Sequence, residues 1–250
     1  MPELAKLIRP DRFDAVLFDL DGVLTSTAAI HSTCWKAMFD DFLQRRADET
    51  GSPFVPFDID RDYKSFVDGK LRYDGVRGFL LSRGIELPNG SPADGAHLVT
   101  VCGLGNRKDA MVKERLDKGG IEVFAGSITV VKWLLDQGIR TAVVSASKNC
   151  KQVLESVGIR DLFEYVVDGE VAEQLHLAGK PAPDTFIKAA ELLGVDPSRA
   201  VVVEDAISGV QAGRAGGFAL VIGVDRHGDA DGLLRHGADL VVADLGDLVA

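Results

Sequence analysis

The chain has 250 residues, 46% of them hydrophobic and 26% charged, with a formal net charge of −10. That length and apolar content support a full core and exclude a disordered chain, and the acidic balance argues against a nucleic-acid partner, since no long basic run is present. Three cysteines without CxxC spacing offer neither a disulfide framework nor a zinc site, and the absence of any stretch of about 18 apolar residues, with no signal-like segment in residues 1–12, predicts a cytoplasmic protein outside the membrane.

The first element expected is a buried strand over residues 15–20. Further short β-branched or apolar runs at 141–145, 165–168, 200–204, 219–222 and 240–242 read as parallel strands covered on both faces. Segments at 149–157, 184–193 and 209–215 are long enough for crossover helices and close on Gly or Pro. The alternation predicts an α/β, doubly wound parallel-sheet (Rossmann-like) core. Between the first two strands, residues 27–117 hold no convincing strand and read as an inserted helical domain, leaving 1–26 and 118–250 as the core. Within the insertion, helices are expected over 31–45, once or twice over 63–83, and over 108–117. The stretches 51–58 and 88–95, rich in Pro, Gly and Asp, read as loops.

The chemistry-bearing residues follow the strands. In Phe18-Asp19-Leu20-Asp21-Gly22, two carboxylates stand two residues apart just after an apolar strand, beside a glycine that permits a sharp turn, so both can face the crevice at the carboxyl edge of the sheet. An EF-hand would need glycine at its sixth position, and Gly22 is fourth. Glu204 and Asp205 end another apolar run; with Asp19 they form a hard oxygen set suited to Mg²⁺. Adjacent residues of a strand face opposite ways, which favours Asp205 as the direct ligand with Glu204 behind it.

Two more pieces suit a phosphoryl group. Ser145 opens onto Ala146-Ser147-Lys148-Asn149, where a hydroxyl and backbone N–H groups ahead of a helix can hold phosphate oxygens, or where Ser145 simply caps that helix. Lys180 lies in Gly179-Lys180-Pro181-Ala182-Pro183, a stiff setting for a charge-neutralising cation, although a lone lysine also reads as a surface residue. The string Gly103-Leu104-Gly105-Asn106-Arg107-Lys108 lacks the third glycine of a dinucleotide fingerprint, and Gln174 stands where a P-loop ending at Lys180 would need glycine.

In this order Asp19 with Asp21, Ser145, Lys180, and Glu204 with Asp205 resemble the four motifs of the haloacid dehalogenase superfamily, over nearly the whole chain. The resemblance implies that Asp19 attacks phosphorus, Asp21 gives and takes protons and offers its backbone carbonyl to Mg²⁺, Ser145 and Lys180 hold phosphoryl oxygens, and Asp205 binds the metal. The helical insertion, Asp21-Gly22-Val23-Leu24-Thr25, His31 with Trp35 and Lys36, and the Ser145 and Lys180 strings are similar to the β-phosphoglucomutase family, in which the insertion is a mobile cap. Carried over, Arg72 grips the substrate's non-transferring phosphate, His31 and Lys108 couple cap closure to Asp21, and Lys148 and Asn149 line the cap interface. Arg72 reads equally as an exposed helix residue, His31 as a half-buried packing residue and Lys108 as a solvated one. Ser26, where the family often has an acidic residue, and the longer cap at 46–60 and 87–101 leave the sugar open.

The function implied is interconversion of β-glucose 1-phosphate and glucose 6-phosphate through an aspartyl phosphate and glucose 1,6-bisphosphate. A Mg²⁺-dependent sugar-phosphate phosphatase is the alternative on the same core, and a non-catalytic phosphometabolite-binding protein the second. The expected partner is a small sugar phosphate, and the oligomeric state stays open, a monomer included.

Overall fold

The computed structural model describes residues 2–226 and 228–249. The chain divides into two compact units, Met1–Thr27 with Ile121–Ala250, and Ala28–Gly120.

In the first unit, helix α1 (Pro2–Leu7) precedes strand β1 (Ala15–Phe18). After the second unit, whose helices are α2 to α4, come α5 (Ala125–Asp136), β2 (Arg140–Val144), α6 (Cys150–Ser156), β3 (Tyr165–Val167), α7 (Gly169–Gln174) and α8 (Asp184–Leu193). The chain then runs through β4 (Ala200–Glu204), α9 (Ile207–Ala215), β5 (Leu220–Val224), α10 (Ala230–His236) and β6 (Leu240–Val242). All six strands pair in parallel in the order β3-β2-β1-β4-β5-β6. Every residue of β1 and β4 is buried, as continuous apolar runs require when helices cover both faces of a sheet. Successive strands spread to one side of β1 and later to the other, so the strand order reverses between β1 and β4, and a ligand crevice forms outside their carboxyl ends. Phe18 lies in register with both Val143 and Val203, which brings the residues that follow three strands to one place.

The second unit consists of α2 (Ala28–Thr50), a π-helix over Ile59–Val67, α3 (Arg72–Ser82) and α4 (Val101–Asp117). Its core is aromatic: Phe39 stacks on Trp35 and Phe57 at ring centroid distances of 5.3 and 5.1 Å and meets Phe79 at 4.2 Å. Such pairs add about 0.5–1.5 kcal/mol each beyond area burial.

The sheet appears where the apolar runs predict it, with its edges shifted. Strand β1 stops at Phe18 instead of residue 20, because after the Asp19 N–H the chain leaves the ladder and turns at Gly22, whose φ is +86°. The expected helix 31–45 runs over Ala28–Thr50. The expected helix 108–117 begins at Val101, where Thr100 accepts the Gly103 N–H and caps it. Residues 63–83 divide between the π-helix and α3; the backbone bonds Tyr63 N to Asp58 O and Asp68 N to Tyr63 O span five residues, a period that a 3.6-residue pattern does not reveal. Helices α1, α5, α7 and α10 are not among the expected elements. No helix among the described residues is long and apolar enough to cross a membrane.

Asp62 staples the π-helix. It is 2% exposed and accepts bonds from Arg83 Nη2 at 2.6 Å, Arg61 Nε at 3.0 Å and the Asp58 N–H at 3.1 Å. Burial pushes its carboxyl up, but Arg61, the Asp58 amide and Arg83 together hold it below the ordinary value. A depressed carboxyl stabilises the fold above its unfolded pKa of about 3.9 and loses that contribution as pH falls through the folded value. Asp62→Asn is therefore expected to cost about 2 kcal/mol at neutral pH and to flatten the fall of thermal midpoint below about pH 4, measured by circular dichroism melts; an unchanged acid limb would refute the assignment.

Candidate active site

Asp19 is the first residue beyond β1, with its N–H still bonded to Val203 O at 2.9 Å. That bond carries the nucleophile candidate out at the reversal point of the sheet. Lys180 Nζ donates to Asp19 Oδ1 at 2.6 Å, to Glu204 Oε1 and to Val144 O at 3.3 Å, and it lies 4.9 Å from the Phe186 ring centroid. One ammonium thus ties β1, β2 and β4 together at their carboxyl ends. Lys180 is 4% exposed, which overturns the surface-lysine reading. Burial works against its charge, yet Asp19 and Glu204 outweigh that and hold Lys180 above the ordinary lysine value.

Glu204 is fully buried. Besides Lys180 it accepts the N–H groups of Asp205 and Ala206, each at 3.0 Å, so its carboxylate is locked in orientation. The fit depends on Gly209, where a Cβ would fall 1.9 Å from the Glu204 carboxyl carbon. Asp205, 7% exposed, lies against the backbone of Gly22, where a Cβ would stand 1.8 Å from Asp205 Oδ2. Oxygens of Asp19, Glu204 and Asp205 lie within 4.8 Å of one another.

The oxygen-only donor set fits a hard divalent cation. Charge argues the same way: burial first, then Glu204 and Asp21, push the Asp19 carboxyl well above the ordinary range, and Lys180 alone works against them. Buried carboxylates in excess of their counter-charges are costly unless a cation joins them.

Asp21 is half-buried; it accepts bonds from Thr27 Oγ1 and, at 3.3 Å, Ser145 Oγ. Thr27 in turn shares a 2.8 Å bond with Thr25. The Asp21 carboxylate therefore faces hydroxyls, and its expected place in the cation site rests on its backbone carbonyl. Ser145 caps no helix: α6 starts at Cys150 with Asn149 before it, and Ser145 Oγ accepts the Ser147 N–H at 3.1 Å. Ala146 lies on this loop, and Asn149 is buried at its end. Lys148 Nζ pairs with Glu173 at 2.6 Å.

In the helical unit, Lys108 is 6% exposed, against its solvated reading. Its Nζ meets His31 Nδ1 at 2.7 Å and sits 4.8 Å from the Trp35 ring centroid. An ammonium only donates, so His31 accepts through Nδ1 and carries its proton on Nε2. Arg72, with a side chain 11% exposed, is no exposed helix residue: Nη2 pairs with Asp109 Oδ1 at 2.8 Å, and Nη1 donates to Asn106 Oδ1 at 3.3 Å.

Sequence reading alone misses Thr27 on Asp21, Gly209 under Glu204, and Arg226. Arg226 Nε donates to the Gly22 carbonyl at 2.7 Å and its guanidinium lies 3.8 Å from the Phe124 ring centroid. Gly22, against which Arg226 lies, carries a local signal in Asp21-Gly22; Thr27, Gly209 and Arg226 are brought to the site by the fold.

The model of the haloacid dehalogenase-like hydrolase family matches residues 13–217. The β-phosphoglucomutase of Mycobacterium bovis is 53% identical over 243 residues, which cover 96% of this chain and 93% of that protein. The β-phosphoglucomutase of Bacillus subtilis is 30% identical, covering 94% of this chain and 91% of that protein. Among solved structures, β-phosphoglucomutase from Clostridium difficile superposes with a TM-score of 0.74 at 24% identity, covering 94% of this chain and 93% of that one.

Gly22→Ala places a methyl group on the Asp205 carboxylate in a left-handed backbone region that disfavours L side chains. We expect hydrolysis of p-nitrophenyl phosphate to fall about 100-fold, the scale of a 1 Å misplacement, with the cation needed for half-maximal rate rising and the melt staying cooperative. Unchanged cation dependence would show that Gly22 does not set the position of Asp205.

Proposed function

From membership of the haloacid dehalogenase-like hydrolase family, to which this chain belongs in its β-phosphoglucomutase-like branch, we propose that it is a phosphomutase interconverting β-glucose 1-phosphate and glucose 6-phosphate. The observation that carries the reading is a 53% match to a β-phosphoglucomutase running through both units, over 96% of the chain, joined to a core whose lysine and carboxylates are arranged for phosphoryl transfer.

In the proposed reaction an Asp19 oxygen forms a bond to phosphorus as the bond from phosphorus to the donor sugar oxygen breaks. Asp21 gives that oxygen a proton, and in the return half it takes the proton from the attacking sugar hydroxyl. Thr27 and Ser145, both bonded to Asp21, hold its carboxyl toward that task. Lys180 and the Ser145 loop neutralise phosphoryl oxygens, and positioning with charge stabilisation is most of what such a transfer needs. Asp19, Glu204 and Asp205, with the Asp21 carbonyl, would hold Mg²⁺. Such an ion, when bound, supplies the positive charge that keeps Asp19 ionised beside its carboxylate neighbours and offsets charge on the phosphoryl group.

Within the helical unit, Arg72 is assigned to the phosphate that is not transferred, while His31 and Lys108 report closure of the cap to Asp21. A mutase must hold the bisphosphate while it turns over and exclude water from phospho-Asp19, so a closing cap is part of the proposal. A reducing, cytoplasmic setting is also proposed, supported by three free and buried cysteines.

A phosphorus NMR time course with Mg²⁺, β-glucose 1-phosphate and a trace of glucose 1,6-bisphosphate tests this. Glucose 6-phosphate is expected to form without matching inorganic phosphate; dominant inorganic phosphate would make the enzyme a phosphatase instead. Asp19→Asn should lower turnover by about three orders of magnitude or more, and retention of activity would remove the covalent mechanism.

A further inference from the structure

The string Gly103-Leu104-Gly105-Asn106-Arg107-Lys108 fails as a nucleotide motif, yet its side chains bond to several separate parts of the helical unit. Asn106 fills all four of its hydrogen-bonding positions. Its Oδ1 accepts from Tyr73 OH at 2.9 Å and Arg72 Nη1 at 3.3 Å, and its Nδ2 donates to Pro92 O at 3.1 Å and Asp94 O at 2.8 Å. Two donors on one side and two carbonyls on the other leave the amide a single orientation.

The neighbouring residues serve the same two clients. A Cβ on Gly105 would fall 2.8 Å from Tyr73 Cδ1 and 3.2 Å from Arg72 Cδ, and one on Gly103 would fall 2.3 Å from Leu98 O. Arg107 Nε donates to Ala96 O at 2.8 Å, and Thr100 Oγ1 donates to Asp94 Oδ2 at 2.6 Å. The segment held this way, residues 83–100 between α3 and α4, is long for a connection without secondary structure in a compact unit, and such loops are commonly functional. Ile85 and Leu87 anchor its start on the aromatic core, but residues 88–99 are largely exposed, and these bonds fix that part.

We propose that Asn106 is a positioning residue that, beside the Asp109 carboxylate paired with Arg72 Nη2 at 2.8 Å, aims the Arg72 guanidinium, and that the 88–98 loop tied to it sets the discrimination among phosphorylated sugars. The inference rests on the reading of Arg72 as the grip on the non-transferring phosphate. A neutral amide suits the role: it orients the guanidinium without adding a negative charge, and its bonds to the Pro92 and Asp94 carbonyls link that orientation to the loop.

The test compares Asn106→Ala, Arg72→Ala and Asp94→Ala in the full-length protein. Each is assayed for mutase turnover of β-glucose 1-phosphate and of β-galactose 1-phosphate, and for hydrolysis of p-nitrophenyl phosphate, which has no second phosphate or sugar. Asn106→Ala is expected to raise the KM for β-glucose 1-phosphate about tenfold, the scale of losing a charge-assisted bond. The kcat should change much less, and selectivity over the aryl phosphate should fall in proportion. Asp94→Ala loosens the loop without touching Arg72 and should lower the glucose-to-galactose preference at least about threefold, the effect of a few tenths to one hydrogen bond. If Arg72→Ala costs sugar phosphate and aryl phosphate equally, the Arg72 reading fails and this inference with it. If Arg72→Ala separates them while Asn106→Ala leaves KM unchanged, the role of Asn106 is overturned and that of Arg72 stands. Should Asn106→Ala fail to fold, Asp94→Ala decides: an unaltered sugar preference overturns the role of the loop.

Discussion

A lysine ammonium with almost no exposure, shared by two carboxylates, is the constraint around which the α/β unit is arranged. Lys180 contacts Asp19, Glu204 and the Val144 carbonyl, and so joins β1, β2 and β4 at their carboxyl ends, where the candidate active site lies. A buried ion pair is weak as a net source of stability, but breaking one by removing a partner strands a charge in the interior and costs about 3–5 kcal/mol. The surroundings follow from that asymmetry. Glu204 is immobilised by two backbone amides, and residue 209 is glycine because a side chain there would collide with it. Phe186 gives the ammonium an aromatic face in place of water. The carboxylates and the ammonium are thus held in fixed orientation by their own neighbours, which is what catalysis by positioning and charge requires.

The helical unit meets a different demand. Its aromatic core needs no polar help, and its chemistry-bearing residues are held by polar pairs that surround that core. Lys108 rests on the Trp35 ring and meets His31 Nδ1 at 2.7 Å, so a long cationic side chain is placed inside the unit by an aromatic face and an imidazole.

The parallel sheet and the core residues were legible because the signal is local. An apolar run ending in Asp19 and Asp21, another ending in Glu204 and Asp205, and a lysine fixed between glycine and proline each announce a strand end or rigid turn with a charge on it. What stayed illegible is whatever the fold brings together across sequence. Arg226 reaches Gly22 across 204 positions, and Gly209 matters only through Glu204. The π-helix over Ile59–Val67 obeys a period that amphipathic patterns do not report, and the run around Asn106 resembles a nucleotide loop only in composition. The partners of Asn106 itself lie 12 to 34 positions away.

The electrostatics around Arg72 show why a neutral residue belongs at position 106. Asp109 already faces Arg72 at 2.8 Å and Lys113 at 3.0 Å, so one carboxylate is divided between two cations and the cluster keeps a positive excess. A second carboxylate in place of Asn106 would cancel that excess and repel a phosphate; an apolar side chain would leave Tyr73 OH and the Pro92 and Asp94 carbonyls without the partner they now have. Only an amide both donates to the loop and accepts from the guanidinium while adding no charge. The core motifs serve hydrolysis and mutase chemistry equally, so on the proposed reading of Arg72 the features that favour returning a phosphoryl group to sugar are sought in this polar cluster, where charge, orientation and loop are set by the same few side chains.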